Sequence, residues 1–259
     1  MPDVDALLDL AKSSVIQAGR RLLAGATDGD SDYVHSPGLR REIKATADTI
    51  MEKEVLRFLA DSGLPVLSEE SGFANSPQKS KYWFIVDPLD GTFNFVKGLG
   101  PSAICVALWE GQQPIFGVIY SLMERQLVWG GKDLGAFAGD RKVSVSDTSD
   151  RSLASICTGF PVRFDFGSDC ALRRLYEMVK PYAKVRMLGS AAASLLHVAR
   201  GSADVYSESG IMLWDVAAGI AIVEGAGGKW AMEKRGSDDW CYDVFASNAA
   251  LYAHRSGQT

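Results

Sequence analysis

Apolar residues recur every three to four positions at two places near the start of the chain. Over residues 4–22 they form one face of an amphipathic helix of about five turns. A similar face runs over residues 51–59, and Asp48 stands where the N-cap of that second helix is expected. The intervening residues 25–38 are rich in Gly, Asp and Ser. We therefore predict two helices joined by a loop.

The next apolar runs have the length and the β-branched and aromatic content of strands. The run at 82–86 is expected to end before Pro88, because proline cannot donate a hydrogen bond to a β-ladder. The later runs alternate with short turns and predict an antiparallel meander. The predicted strands of this part are residues 65–67, 82–86, 104–109, 114–120, 126–129 and 135–138.

Beyond a polar stretch at residues 145–151 the pattern changes to alternating strands and helices. Such alternation favours a mostly parallel sheet with helices on its faces. We therefore divide the chain into an α+β half at residues 1–148 and an α/β half at residues 149–259. The second half has predicted strands at 153–158, 185–188, 203–206, 229–232 and 244–246, and predicted helices at 169–179, 190–199 and 215–224.

Composition excludes some classes of function. The chain has 259 residues, of which 47% are hydrophobic and 23% charged, as is ordinary for a globular protein. A formal net charge of −5 argues against a general surface for nucleic acid or anionic membranes. Its four cysteines form no Cys-x-x-Cys pair, which predicts free thiols in a reducing compartment. The acidic start lacks the basic region of a signal peptide and no apolar run approaches a membrane span, so we expect a cytoplasmic location.

Candidate chemistry is concentrated where the strand at 82–86 meets Asp87-Pro88-Leu89-Asp90-Gly91-Thr92. Two carboxylates this close repel each other unless a cation or a shared proton intervenes. Because no Cys or His is nearby, the oxygen ligands favour a hard cation, Mg²⁺ above all. Gly91 and Thr92 add backbone N–H groups and a hydroxyl that suit a phosphate. The alternative interpretation is a polar turn in which Asp87 caps the next segment.

Other polar residues stand at the ends of predicted elements. Glu69 and Glu70 follow a strand and would point to opposite faces if it continued, so only one of them reaches a common site easily. Asp215 begins a helix, where a simple N-cap is an equally good interpretation. Ser190 also opens a helix, whose first N–H groups can bind an anion, although small residues are common at helix starts.

Taken together, these segments resemble the inositol monophosphatase family of Mg²⁺-dependent, lithium-sensitive phosphomonoesterases. Residues 83–95 match the first family signature, Glu69-Glu70 its Glu-Glu element, and residues 214–228 its C-terminal signature. Agreement in order and spacing extends to Gly135-Ala136-Phe137, Gly189-Ser190-Ala191 and Glu208, so the resemblance covers nearly the whole chain. It implies a layered αβαβα sandwich of the α+β or α/β class, with an antiparallel meander sheet first and a mixed, mostly parallel sheet second. It also implies a homodimer.

The resemblance further implies a role for each matching residue. Glu69, Asp87 and the Leu89 carbonyl would ligate one Mg²⁺, and Asp87, Asp90 and Asp215 a second. Thr92 would orient the attacking water together with Glu69, and Asp48 matches an acidic residue near a third, weaker metal. The expected substrate-binding residues are Gly91, Thr92, Ser190, Ala191 and Glu208.

The segment before Asp48 departs from the family pattern. Members often carry Val-Thr, then two further residues and then the Asp, whereas this chain has Ile43-Lys44-Ala45-Thr46-Ala47 before Asp48. The lysine usual further upstream is absent from residues 25–38. Either Lys44 replaces that charge or it is a solvated surface residue, and we favour the first interpretation.

From these residues we expect a phosphomonoesterase that hydrolyses a small polyol phosphate, such as inositol 1-phosphate, by attack of a metal-activated water. Histidinol phosphate, fructose 1,6-bisphosphate and 3′(2′),5′-adenosine bisphosphate are alternative substrates on the same scaffold. A non-catalytic binding module is a rival, but every expected ligand is retained. A nicotinamide-dependent oxidoreductase is a weaker rival, since no strand is followed by Gly-x-Gly-x-x-Gly. The histidines lie outside every motif, so we expect no histidine mechanism: His35, His197 and His254.

Overall fold

Two β-sheets alternate with helical layers in the computed structural model, which describes residues 2–27, 46–74, 80–160 and 164–254. The described helices are α1 Val4–Thr27, α2 Thr46–Leu59, α3 Thr92–Lys97, α4 Asp169–Val179, α5 Ala191–Ala199, α6 Leu213–Gly225 and α7 Ala249–Ala253. The described strands are β1 Val66–Ser68, β2 Gly72–Ala74, β3 Tyr82–Asp90, β4 Ala103–Glu110, β5 Gln113–Ser121, β6 Gln126–Gly131, β7 Gly135–Ala138, β8 Arg141–Lys142, β9 Ser155–Cys157, β10 Lys184–Arg186, β11 Val205–Met212, β12 Lys229–Lys234 and β13 Cys241–Ser247.

The first sheet contains the predicted meander. Its strand order is β2-β1-β3-β4-β5-β6-β7-β8, and β3 through β8 pair with their sequence neighbours in antiparallel fashion. Strand β1 pairs with β3 in parallel, so the carboxyl ends of these two strands lie at the same edge of the sheet. The sequence motifs that carry acidic residues follow or end those strands, which brings Glu69 and Asp87 to one place.

The second sheet is mixed, as predicted, but it is not mostly parallel. In the order β10-β9-β11-β13-β12, the first two pairings are parallel and the last two are antiparallel. The prediction failed for β12 and β13 because only residues 235–240 connect them. A connection this short makes a hairpin and leaves no room for the crossover that parallel neighbours need.

A middle helical layer lies between the two sheets. In α5, eight of nine residues are buried, and in α6 nine of thirteen, as expected for helices that are apolar around most of their circumference. Apolar residues of both sheets pack with α5 and α6 into one core. Helices α1 and α2 cover the other face of the first sheet, and a smaller cluster that includes residues of α4 and α7 covers the second. The layered αβαβα fold is therefore confirmed, while the division at residue 148 stays a prediction.

Strand β3 does not end before Pro88. It continues to Asp90, and its register against β4 shifts between Asp87 and Asp90. Pro88 and Leu89 occupy this irregularity, where no ladder hydrogen bond is required of the proline. The bulge turns the chain within the acidic motif, so Asp87 and Asp90 are both buried at one sheet end.

Several other boundaries also differ from the prediction. Helix α1 extends to Thr27, into the predicted loop at 25–38, and strand β11 extends to Met212 instead of ending at residue 206. Most of that loop, together with Lys44 and its proposed role, lies outside the described residues. Within the described ranges, no helix combines the length and the apolar character required to cross a membrane.

Candidate metal and phosphate site

Three acidic side chains from three different elements converge at the edge shared by β1 and β3. Glu69 directly follows β1, Asp87 lies in β3 and Asp215 lies in the first turn of α6. One carboxylate oxygen of each lies within 4.8 Å of the other two. A backbone hydrogen bond of 3.2 Å from the Glu69 amide to the Val86 carbonyl holds the chain after β1 against β3. The topology therefore brings together three carboxylates from separate sequence motifs.

The partly or fully buried, mutually repelling carboxylates of this cluster favour the binding of a cation. Burial, followed by the charges of Glu69, Asp90 and Asp215, raises the pKa of Asp87 well above its usual value. Burial and the neighbouring carboxylates Glu69 and Asp90 also raise the pKa of Asp215. Asp87 Oδ1 accepts a 3.0 Å hydrogen bond from the Leu89 amide, whereas its buried Oδ2 has no hydrogen-bond partner among the described residues. An all-oxygen donor set with such an oxygen fits a hard divalent cation.

Asp90 makes a different set of contacts. It accepts hydrogen bonds from the Ser190 hydroxyl and, at 3.2 Å each, from the Ala191 and Ala192 amides at the start of α5. These donors favour the ionised carboxylate, but burial outweighs them and raises its pKa to about 6. The first turn of α5 is thus fixed next to the acidic cluster, with Asp90 between them.

Thr92, a candidate phosphate-binding residue, contacts helix α2, which is distant from it in the sequence. Its Oγ1 lies 2.8 Å from Asp48 Oδ1 in α2 and 2.8 Å from the Leu89 carbonyl oxygen. Since a hydroxyl has one proton, it donates to one of these acceptors at a time. Asp48 is only 3% exposed, whereas Thr92 is partly exposed. The arrangement gives the hydroxyl a choice of two fixed proton acceptors.

Gly91 is required at the turn that precedes Thr92. Its φ of +77° is strained for residues with a side chain, and a Cβ there would lie 2.8 Å from the Pro101 carbonyl oxygen. Nearby, the buried Asn94 side chain donates hydrogen bonds to the Pro101 carbonyl at 2.9 Å and the Leu188 carbonyl at 2.7 Å. These contacts tie α3 to the segment that leads into α5.

Residues 9–251 match the profile of the inositol monophosphatase family. The chain belongs to this family. It is similar to a fructose-1,6-bisphosphatase/inositol-1-monophosphatase of Aquifex aeolicus, with 29% identity over 255 residues, which cover 97% of this chain and 94% of the relative. A Nus factor SuhB of Xylella fastidiosa is 32% identical over 197 residues, covering 76% and 70% of the two chains. The structure of inositol monophosphatase from Anabaena (Nostoc) sp. PCC 7120 superposes with a TM-score of 0.82 at 29% identity, covering 97% and 94%.

Membership of the inositol monophosphatase family makes the protein a phosphoric monoester hydrolase. The family acts on small phosphate monoesters and is generally metal-dependent, which agrees with the acidic cluster. The cluster of Glu69, Asp87 and Asp215 combines two residues expected at the first metal with one expected at the second, and it includes neither the Leu89 carbonyl nor Asp90. The individual roles of these residues stay predictions.

The two N-cap interpretations are wrong. Helix α2 is described from Thr46, so Asp48 lies inside its first turn, where its side chain accepts from Thr92. Helix α6 begins at Leu213, which makes Asp215 its third residue, and Asp215 Oδ2 accepts a 3.1 Å hydrogen bond from the Met212 amide. In both helices the carboxylate is directed to the site by its place in the first turn.

Glu208 lies beyond the end of the predicted strand at 203–206, but the structure places it inside a strand and buries it. It lies within β11, opposite Val244 of β13, and is only 7% exposed. Its carboxylate accepts a 3.2 Å hydrogen bond from the Tyr206 hydroxyl. Burial is the main cause that raises the pKa of Glu208 to about 7; the Tyr206 bond opposes this shift and the Asp90 charge adds to it. The sequence analysis missed Tyr206, although its position two residues before Glu208 on a strand puts both side chains on one face.

Proposed function

We propose that the protein is a Mg²⁺-dependent phosphatase of a small polyol phosphate, of which inositol 1-phosphate is the model. The observation that carries this proposal is the convergence of Glu69, Asp87 and Asp215 around a buried Asp87 oxygen that has no hydrogen-bond partner among the described residues. A buried carboxylate without a partner is costly, and a bound cation compensates it. No cysteine or histidine is needed in such a site.

The residues that would hold Mg²⁺ are those carried over from the family: Glu69, Asp87, Leu89, Asp90 and Asp215. When bound there, Mg²⁺ supplies the Lewis acidity that activates water and neutralises charge on the phosphate. The chain itself contributes fixed oxygen donors from a strand, a turn and a helix. Because their positions are set by the fold, little reorganisation is required when substrate arrives.

Thr92 and Asp48 provide the proton path. The Thr92 hydroxyl accepts a hydrogen bond from the attacking water while it donates its own proton to Asp48 Oδ1, 2.8 Å away. This orients the lone pair of the water toward phosphorus. Asp48 stays in place because it belongs to the first turn of a helix that packs on β3. The pair therefore acts as an orienting and proton-accepting unit.

The phosphate and the alcohol have separate binding groups. The amides of Gly91 and Thr92 are the proposed donors to phosphate oxygens. Ser190 and Ala191 at the start of α5 are the other proposed substrate-binding residues, and in the free protein the Ser190 hydroxyl and the Ala191 amide donate to Asp90. Glu208 is the proposed acceptor for the leaving alcohol, because a carboxylate accepts hydrogen bonds from hydroxyl groups and pairs with an amine. A second phosphate close to Glu208 would be repelled, which ranks adenosine bisphosphate below polyol and amine substrates.

Phosphate release from a panel of substrates tests the proposal. We expect kcat/KM for inositol 1-phosphate or histidinol phosphate to exceed that for 3′,5′-adenosine bisphosphate by at least about tenfold. The reverse order would contradict the role of Glu208, and equal rates for all would contradict substrate selection at this site. Fructose 1,6-bisphosphate belongs in the panel because of the name of the Aquifex relative. A homodimer and inhibition by Li⁺ are further parts of the proposal that rest on family membership alone, and a cytoplasmic location is a further part that rests on the sequence pattern.

A further inference from the structure

The carboxylate of Glu208 accepts a hydrogen bond from the phenol hydroxyl of Tyr206 and is not paired with a positively charged side chain among the described residues. Among the described residues, the Tyr206 hydroxyl is the hydrogen-bond donor to Glu208, and no Lys or Arg forms an ion pair with it. Tyr206 is fully buried and belongs to the core that packs against α5 and α6. Its ring is therefore fixed, and its hydroxyl defines where Glu208 Oε2 lies. The contact persists only while both side chains keep to the same face of β11.

The Gly159 backbone packs against the carboxylate group of Glu208. A Cβ at this position would lie 2.8 Å from Glu208 Oε2 and 3.0 Å from Oε1, closer than real side-chain contacts. The carboxylate thus lies directly against the Gly159 backbone, two residues after the end of β9. An alanine here would force the Glu208 carboxyl group away from its position beside the Tyr206 hydroxyl.

We propose that Tyr206 and Gly159 are positioning residues that fix Glu208 as a one-sided acceptor for the leaving group of the substrate. With Oε2 engaged by Tyr206, Oε1 is the oxygen left to accept from a hydroxyl or ammonium group. This inference rests on the proposed function, in which Glu208 contacts the alcohol. It narrows the substrate class to phosphomonoesters that carry a hydrogen-bond donor near the ester oxygen.

The uncompensated charge on Glu208 supports this assignment. The Tyr206 hydroxyl is its hydrogen-bond donor among the described residues, and burial outweighs that bond and raises the pKa of Glu208 to about 7. A substrate hydroxyl or ammonium group would supply the missing donor. An anionic group would add repulsion instead, since Asp90 already contributes negative charge nearby.

Tyr206→Phe tests the proposal because it removes one oxygen and leaves the ring. At pH 8 and saturating Mg²⁺, we expect KM for inositol 1-phosphate to rise about three- to tenfold, the usual effect of one lost hydrogen bond. The kcat for this substrate and both constants for p-nitrophenyl phosphate, which has no hydroxyl donor on its leaving group, should stay unchanged. The matched control is Tyr120→Phe, which alters a buried tyrosine that packs with α1 and the first sheet.

A double-mutant cycle separates positioning from general stability. If Tyr206 acts through Glu208, Tyr206→Phe in a Glu208→Gln background should add less than about twofold to KM. Additive effects, or equal losses on p-nitrophenyl phosphate, would overturn the proposal. If Glu208→Gln leaves KM for every substrate unchanged, the assigned contact of Glu208 fails, whereas Mg²⁺-dependent phosphatase activity would still stand.

Gly159→Ala provides an independent variant if Tyr206→Phe impairs folding. We expect it to raise KM for inositol 1-phosphate by a factor similar to that of Glu208→Gln while p-nitrophenyl phosphate is hydrolysed normally. The control is Gly100→Ala, since a Cβ at Gly100 meets no atom within 4 Å and its φ is not positive. A Gly159→Ala protein with the wild-type KM for inositol 1-phosphate would contradict the proposal that the Gly159 backbone helps to position the Glu208 carboxylate.

Discussion

Thr92 Oγ1 lies 2.8 Å from Asp48 Oδ1, a hydrogen bond that joins residues 44 positions apart in the sequence. It connects the first residue of α3 with the first turn of α2, so two helices on different sides of the acidic cluster share one proton. Asp48 is buried, whereas Thr92 is partly exposed. The hydroxyl has two fixed acceptors, Asp48 Oδ1 and the Leu89 carbonyl oxygen, and donation to Asp48 leaves its lone pairs free to accept a hydrogen bond from a water molecule.

Thr92→Val should lower kcat by about a hundredfold or more, since removal of a proton-transfer group typically costs that much. The substitution keeps the volume and the β-branch, so the melting temperature should change little. Thr92→Ser retains the hydroxyl and is the matched control, with most of the activity expected. Measurement of kcat for inositol 1-phosphate decides the question. A Val variant within about threefold of wild type would remove the hydroxyl from the reaction.

Asp90→Asn should lower kcat/KM by about a thousandfold, because one charged ligand would be lost from the metal site. The fold should persist in the absence of metal. At pH 7 the pKa of about 6 means that folding disfavours the ionised Asp90 relative to the unfolded chain, so a neutral side chain relieves that cost. Phosphate release and the melting temperature in EDTA are measured on the same samples. Asp147→Asn, at an exposed position, is the control. Activity within about tenfold of wild type would contradict the assigned role.

The stability of the metal-free protein should fall as pH rises. The pKa values of Asp87, Asp90 and Asp215 are all raised by burial in the folded state. An acid with a raised folded-state pKa contributes its full stability below the unfolded value, near pH 4, and loses it as pH rises through the folded value. For Asp90 that window ends at about pH 6. The raised pKa values of Asp87 and Asp215 act in the same direction. In EDTA we therefore expect a lower melting temperature at pH 7 than at pH 5.

Saturating Mg²⁺ should abolish or reverse this pH dependence, because the cation binds the ionised carboxylates and stabilises the folded state. Thermal melts over pH 5 to 8, with and without Mg²⁺, measure the difference. Melting curves in EDTA that do not change over this range would show that the carboxylates are not forced together in the free protein.

Much of the fold could be predicted because its signals are local. The strand-and-turn pattern of the meander and the helical periodicity of residues 4–22 depend on nearest neighbours in the sequence, and the structure confirms both. The prediction of a mostly parallel second sheet was wrong. The direction of β13 depends on its hairpin with β12 and on its pairing with β11, and such tertiary contacts leave no local signal in the sequence. The end of β3 was misplaced because a bulge lets the strand continue past Pro88.

The site shows the same division between local and tertiary signals. Carboxylates such as Asp87 and Asp215 stand out in the sequence because each ends or begins an element. The hydrogen bonds from α5 to Asp90 could not be foreseen, since they connect residues about a hundred positions apart. The burial of Glu208 was not predicted because the predicted strand ends at residue 206, whereas β11 extends to Met212.

The most direct test of the account is a Mg²⁺ titration of metal-free protein in which phosphate release from inositol 1-phosphate is measured together with heat of Mg²⁺ binding. Wild type should be inactive in EDTA and recover with Mg²⁺, and Asp87→Asn should lose both binding and activity. Glu70→Gln, adjacent to the cluster but outside it, should keep both within about threefold of wild type. Undiminished phosphate release in EDTA, or an Asp87→Asn protein as active as wild type, would contradict a metal-dependent reaction at Glu69, Asp87 and Asp215.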